Sequence, residues 1–186
     1  MIEASPLENT PLMVHALPLQ FPVEPIVDFY QSIAKDDSVT QICLTHRPGQ
    51  TPFIDGCGSS YNPITNQADY LESDFTETAP GLPDIIQIII QDVRNFSMEA
   101  FGRKIGRIRF MRLKPKTCLS YHVDYDPFRL HIPVIKDKKS FFVVNDQVCR
   151  MPNKGQLYFL RTNVFHTAVN ASLTNERVHL VFNTCD

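Results

Sequence analysis

RIRFMRLKPKTCLSYHVDYDPFRLHIPVI, Arg107 to Ile135, consists of short runs rich in β-branched, aromatic and other apolar residues, broken by KPK and YDP. Runs of four to eight such residues bounded by turn formers read as strands. The pattern continues through SFFVVND, QLYFLRT, VFHTAV and RVHLVFN, with KDKK, MPNKG and ASLTNE between them. From Gly106 to the end, the chain therefore predicts an antiparallel barrel or sandwich. Upstream the period changes to that of helices. VEPIVDFYQSIAK spaces Ile26, Val27, Phe29, Tyr30 and Ile33 along one face, and PGLPDIIQIIIQDVRNFSMEAFG does the same with Ile85, Ile86, Ile89, Ile90 and Val93 before a stop at Gly102. SVTQICLT reads as a strand between them. The fold class expected is α+β: a jelly roll with the N-terminal helices packed outside it.

At 186 residues and 43% hydrophobic content the chain predicts one domain. Residues 1–22 form an extended, proline-rich arm, 23–105 a helical and loop region, and 106–186 the jelly-roll core. Eighteen basic and twenty acidic residues leave a net charge of −2, so no global field draws the chain to nucleic acid or anionic lipid. The five cysteines form no CxxC pair and read as reduced thiols. With neither a secretory leader nor an apolar stretch long enough to span a bilayer, the expected compartment is the cytoplasm. NAS at Asn170 to Ser172 is read as a chance match to a glycosylation acceptor. HRPGQTPFIDGCGSSYNPITNQ, His46 to Gln67, is long for a connection and reads equally as a substrate lid or a surface loop.

The charges inside the strand region need an explanation. On a strand, alternate side chains share a face, so His122 pairs with Asp124, Arg129 with His131, and Arg177 with His179. An aspartate buried without a partner is costly, and a cation would remove that cost. His-x-Asp supplies one neutral nitrogen and one anionic oxygen, and His166, in NVFHTAVN, is the best candidate for a third ligand. Two histidines and a carboxylate on one face of an octahedron leave three positions open for a 2-oxo acid and dioxygen, which favours iron(II) over zinc. Arg177, eleven positions after His166, could pair bidentately with the far carboxylate of the oxo acid.

KPKTCLSYHVDYDPFRLHIPV followed by NKGQLYFLRTNVFHTAVNASLTNERVHLVFN resembles the 2-oxoglutarate- and iron(II)-dependent dioxygenases, and within them the aspartyl/asparaginyl β-hydroxylase-like branch. The resemblance covers about Arg107 to Asn183. It implies a double-stranded β-helix of the cupin type with His122, Asp124 and His166 as iron ligands. Arg177 would anchor 2-oxoglutarate, and Arg129 and His131 would contact cosubstrate or substrate beside the iron. Met111 stands where some members place a cosubstrate-binding serine, and Asp124 is kept where some animal members have glycine. The activity implied is C–H hydroxylation of an amino-acid side chain, free or peptidyl and of the Asp, Asn or Pro kind, with Fe(II), 2-oxoglutarate and O2. The partner expected is a small-molecule or peptide substrate. A non-catalytic cupin-like module binding a small acid or metal is the alternative, with nucleic-acid oxidation behind it. His179, outside the family pattern, is expected to be structural.

Overall fold

The computed structural model describes residues 13–34, 36, 38–62, 64–65 and 67–186. The first twelve residues of the expected arm, Lys35 of the first helical stretch and parts of the 46–67 loop lie outside them. In chain order the strands are β1 (Val14–Gln20), β2 (Gln41–Cys43), β3 (Thr45–His46), β4 (Tyr61–Asn62), β5 (Gln67–Ala68), β6 (Glu77–Thr78) and β7 (Lys104–Leu113). There follow β8 (Thr117–Cys118), β9 (Phe128–Ile135), β10 (Ser140–Val144), β11 (Gln147–Cys149), β12 (Gln156–Arg161), β13 (His166–Asn170) and β14 (Arg177–Cys185). Two helices, α1 (Val23–Ile33) and α2 (Asp84–Phe101), precede the main strands.

Six strands in the order β1-β12-β9-β14-β7-β2 make a large antiparallel sheet, and four in the order β11-β10-β13-β8 a smaller one. The large sheet is apolar on one face and mixed on the other. Val178, Leu180 and Phe182 of β14 pack with Ile108, Phe110, Leu130 and Ile132 against the buried stripe of α2, Ile86, Ile89, Ile90 and Val93. The alternate residues of β14 turn toward the small sheet, where Leu113, Phe142, Val144, Tyr158, Leu160 and Ala168 close a second core. Covered on both faces, β14 is buried along all nine residues. This is the double-stranded β-helix, with its helices outside.

Local chemistry fixes the ends of these elements. Gly102 ends α2 in the left-handed region at φ 65°, its N–H donating to the Met98 carbonyl. Gly155 opens β12 at φ 75°, where a side chain would collide with the Phe21 carbonyl. Its own carbonyl accepts from the Phe21 N–H at 2.9 Å, which ties the end of β1 to the sheet. Val14–Gln20, within the expected arm, is the edge strand and pairs with β12. Asn170 of the NAS triplet is fully buried and donates to the Leu113 and Asn175 carbonyls, so it is a packing residue. No helix among the described residues is long and apolar enough to cross a membrane.

The 46–67 region docks on the large sheet. Arg47 and Asp55 form an ion pair at 2.7 Å, and the buried Arg107 donates to the Gly56 carbonyl, to Tyr70 and to Glu72. None of its described residues lines the cavity beside His122 and His166.

Candidate metal centre

CLSYHVD does not form the continuous strand its period suggests. β8 ends at Cys118, and pairing resumes only at an isolated bridge between His122 and His166. Between Cys118↔Val169 and His122↔His166 the register slips by one residue. The extra residue makes a bulge, the usual way a sheet re-aims a side chain beside a site. His122 and His166 exchange backbone hydrogen bonds at 3.1 and 2.8 Å, the Asp124 N–H donates to the Thr162 carbonyl, and the Thr162 hydroxyl donates to the Asp126 carbonyl. These bonds, rather than strand alternation, bring His122 and Asp124 to one side.

Each imidazole is oriented from behind. His122 Nδ1 lies 2.7 Å from the Ser120 carbonyl and His166 Nδ1 2.9 Å from that of Val164. A carbonyl only accepts, so both rings carry their proton on Nδ1 and direct the Nε2 lone pair inward. His122 Nε2 stands 3.5 Å from Asp124 Oδ1, and His166 Nε2 3.5 Å from Asp124 Oδ2. The three donor atoms lie within 4.8 Å of one another. Burial pushes the Asp124 carboxyl up, but Arg129, His122 and His166 outweigh it and hold the group well below the usual carboxylate range. Arg129 Nη2 is 2.8 Å from Asp124 Oδ2, yet that buried oxygen receives no aligned hydrogen bond. Two inward nitrogen lone pairs and an anionic oxygen short of a donor fit a divalent cation, and this donor set suits iron(II).

The expected neighbours converge here. A cavity of about 30 Å³ is lined by His122, His166, Arg129, His131 and Arg177, with Leu119 and Phe142 among its apolar walls. His131 is 5% exposed and neither ring nitrogen has a hydrogen-bond partner among the described residues. Burial first, then the Arg177 and Arg129 charges, push its pKa well below the ordinary histidine value, so the ring is neutral and has one donor and one acceptor to offer. Arg177 is 3% exposed, sits 4.5 Å over the Phe142 ring, and has no carboxylate partner among the described residues. Burial brings it down to about 9, which leaves it charged at neutral pH. Glu176, its neighbour in sequence, pairs with Arg112 instead.

The shared face read for Arg177 and His179 takes the form of a hydrogen bond, and a second cavity escaped the sequence reading. His179 Nδ1 lies 3.2 Å from Arg177 Nη2, so it accepts from the guanidinium. The shared parity of Arg177 and His179 on β14 was the available signal. A second cavity of about 230 Å³ shares Arg177, Met111 and Leu119 with the first and extends past Gln41, Lys114 and Thr117. Only the packing of the two sheets creates it. Met111 sits opposite His179 in the β7–β14 ladder and lines both cavities, so no hydroxyl reaches Arg177 from this position.

Known proteins can now be set beside this geometry. The aspartyl/asparaginyl β-hydroxylase family profile matches residues 70–185. Among curated proteins none matches the sequence significantly. Among solved structures, an oxidoreductase of the 2OG-Fe(II) oxygenase family from Burkholderia pseudomallei is 21% identical at a TM-score of 0.46, over 57% of this chain and 58% of that one. This chain thus spans little more than half the length of that relative. The viral collagen prolyl hydroxylase of Paramecium bursaria Chlorella virus-1, solved as a 2OG complex, is 15% identical at a TM-score of 0.45, over 56% of this chain and 74% of that one. A cupin domain from Bordetella pertussis is 14% identical at a TM-score of 0.37, over 45% and 92%. The profile takes in α2, the strands from β7 to β14 and the His122–Asp124–His166 cluster, and on that basis the chain belongs to the aspartyl/asparaginyl β-hydroxylase family.

Proposed function

We propose that this chain hydroxylates a C–H bond of an amino-acid side chain, free or within a peptide, using iron(II), 2-oxoglutarate and dioxygen. The observation that carries the reading is a three-donor cluster whose two histidines line the same small cavity as a buried arginine that no carboxylate neutralises among the described residues. His122, Asp124 and His166 would hold the iron. Bound there, iron(II) and 2-oxoglutarate supply an oxidative decarboxylation that yields succinate and carbon dioxide and delivers one oxygen atom to the substrate.

The residues around the cluster bind, orient and exclude water. Arg177 would pair with the distal carboxylate of 2-oxoglutarate, an interaction strengthened by its dry surroundings. His131 would donate its one N–H to the carboxylate of cosubstrate or substrate. Arg129 pairs with Asp124 and reaches the same cavity, where its remaining donors could take a substrate carboxylate. Leu119, Phe142, Leu160 and Ala168 keep bulk water from the cavity. The test is incubation of the protein with iron(II), ascorbate and 2-oxoglutarate over panels of amino acids and peptides, followed by mass spectrometry. A product heavier by one oxygen, formed in step with succinate, supports the reading. Succinate-free, unmodified panels from iron-loaded protein would favour a binding module.

His179 gives a finer expectation. Its ring is neutral, because burial and then the Arg177 charge push it well below the ordinary value. It accepts from Arg177 without competing for 2-oxoglutarate as an anion would. His179→Phe removes one hydrogen bond to a charged group, worth about 1.5 kcal/mol or roughly tenfold. The KM for 2-oxoglutarate rises by that factor while kcat at saturation stays near the parent value, as steady-state kinetics would show.

A further inference from the structure

The loop that docks on Arg107 and Arg109 brings two free cysteines together. Cys43, at the end of β2, and Cys57, in the loop, are fourteen residues apart in sequence, yet their sulfurs lie 3.7 Å apart. Cys43 is fully buried and Cys57 is exposed. Gly56 and Gly58 flank Cys57, both at positive φ, and their carbonyls accept from Arg107 and Arg109. The two guanidinium groups are buried, but among the described residues only Arg107 has a carboxylate, Glu72 at 2.7 Å. Arg109 meets Gln41 Oε1 and the two glycine carbonyls, and no anion among the described residues.

We propose that Cys43 and Cys57 form a peroxide-oxidisable dithiol, with Cys57 the attacking thiolate and Cys43 the resolving thiol. Cys57 has the exposure and the electropositive neighbours that make a cysteine reactive. The hydrogen bond with Cys43, and then the Arg109 and Arg107 charges, bring it down to about 7 against the opposing effect of burial. The same hydrogen bond and burial push Cys43 up, so the pair is asymmetric. In the first step the Cys57 thiolate attacks one oxygen of hydrogen peroxide, the O–O bond breaks, and hydroxide leaves and is protonated to water. Cys57 is now a sulfenic acid. In the second step the Cys43 sulfur, giving up its proton, attacks the Cys57 sulfur. The S–S bond forms, the S–O bond breaks and water leaves. Two thiols lose two electrons, and one peroxide becomes two waters.

An S–S bond is about 2.05 Å long, so the sulfurs need to close by about 1.7 Å, a shift the exposed loop can make. The product staples the loop to β2 beside Arg109, and a dithiol reductant reverses it. Cys118 is an internal control: it is exposed too, and no thiol partners it among the described residues.

The experiment exposes the full-length protein to hydrogen peroxide at pH 7 with a chelator present, so that iron drives no radical chemistry. Free thiols are then alkylated, and chymotryptic cleavage at Leu44 and Phe53 separates the two cysteines before mass spectrometry. The expected result is a Cys43–Cys57 linked peptide, with Cys118, Cys149 and Cys185 alkylated, and loss of the free Cys57 thiol at least about tenfold faster than that of Cys118. In Cys43→Ala a sulfenic-acid trap labels Cys57. Cys57→Ser, an exposed and near-isosteric change, abolishes the linked peptide without disturbing the core. A Cys57 that oxidises no faster than Cys118, or links scattered among all five cysteines, would overturn the proposal.

Discussion

Asp124→Ala loses iron(II) affinity by at least about 100-fold, and turnover falls below about 1% of the parent. Substitutions of groups that merely orient metal ligands cost about 10–100-fold, and a ligand itself costs more. The charge balance sharpens the expectation. Among the described residues, Asp124 is the only carboxylate paired with Arg129 and the only anion between the two imidazoles. Without it, the Arg129 guanidinium faces the metal position with its paired carboxylate gone, and a dication is repelled there. A small side chain at this position therefore does not reproduce the metal sites of relatives that have glycine. Isothermal titration with iron(II) or manganese(II) under nitrogen, beside circular dichroism to verify the fold, reads the effect directly. Parent-like affinity would remove Asp124 from the ligand set.

Arg177→Gln raises the KM for 2-oxoglutarate by roughly 30-fold or more, since breaking a buried charge pair costs about 2–5 kcal/mol. The same change makes the ligand-free protein more stable. Arg177 is 3% exposed without a carboxylate partner, and a buried unpaired charge is a cost that a neutral side chain removes. Binding therefore weakens while the melting temperature of the free protein rises, the trade-off expected of a residue kept for a ligand. A purely structural arginine would show the opposite sign in melting temperature and no change in KM. Thermal scans with and without 2-oxoglutarate separate the two cases: the ligand-induced shift shrinks in the variant as its affinity falls.

Much of this architecture lay open in local sequence, because the strands after Gly106 and both helices follow the period of their buried faces. The helix stripe of α2 and its stop at Gly102 appear as the pattern implies. Long-range pairing was less legible. Nothing local in Val14–Gln20 announces β12 as its partner, and Pro18 is tolerated there because the strand is at the sheet edge. His122, Asp124 and His166 do gather, yet not by the alternation that suggested it. The one-residue slip after Cys118 and the carbonyls of Ser120 and Val164 aim the rings. Those are backbone groups, and they leave no mark in residue identity. The Cys43–Cys57 approach is hidden for a related reason: the two lie fourteen positions apart, and only docking on Arg107 and Arg109 closes the gap.

The central claim is that the His122–Asp124–His166 cluster and Arg177 together hold iron and 2-oxoglutarate in one site. An anaerobic titration of the metal-free protein with iron(II) and then 2-oxoglutarate, followed in the visible range, addresses both at once. The account predicts a saturable metal-to-ligand charge-transfer band that requires both additions, is lost in Asp124→Ala and needs far more 2-oxoglutarate in Arg177→Gln. Iron that binds with no such band at any 2-oxoglutarate concentration, or a band indifferent to both substitutions, would contradict it.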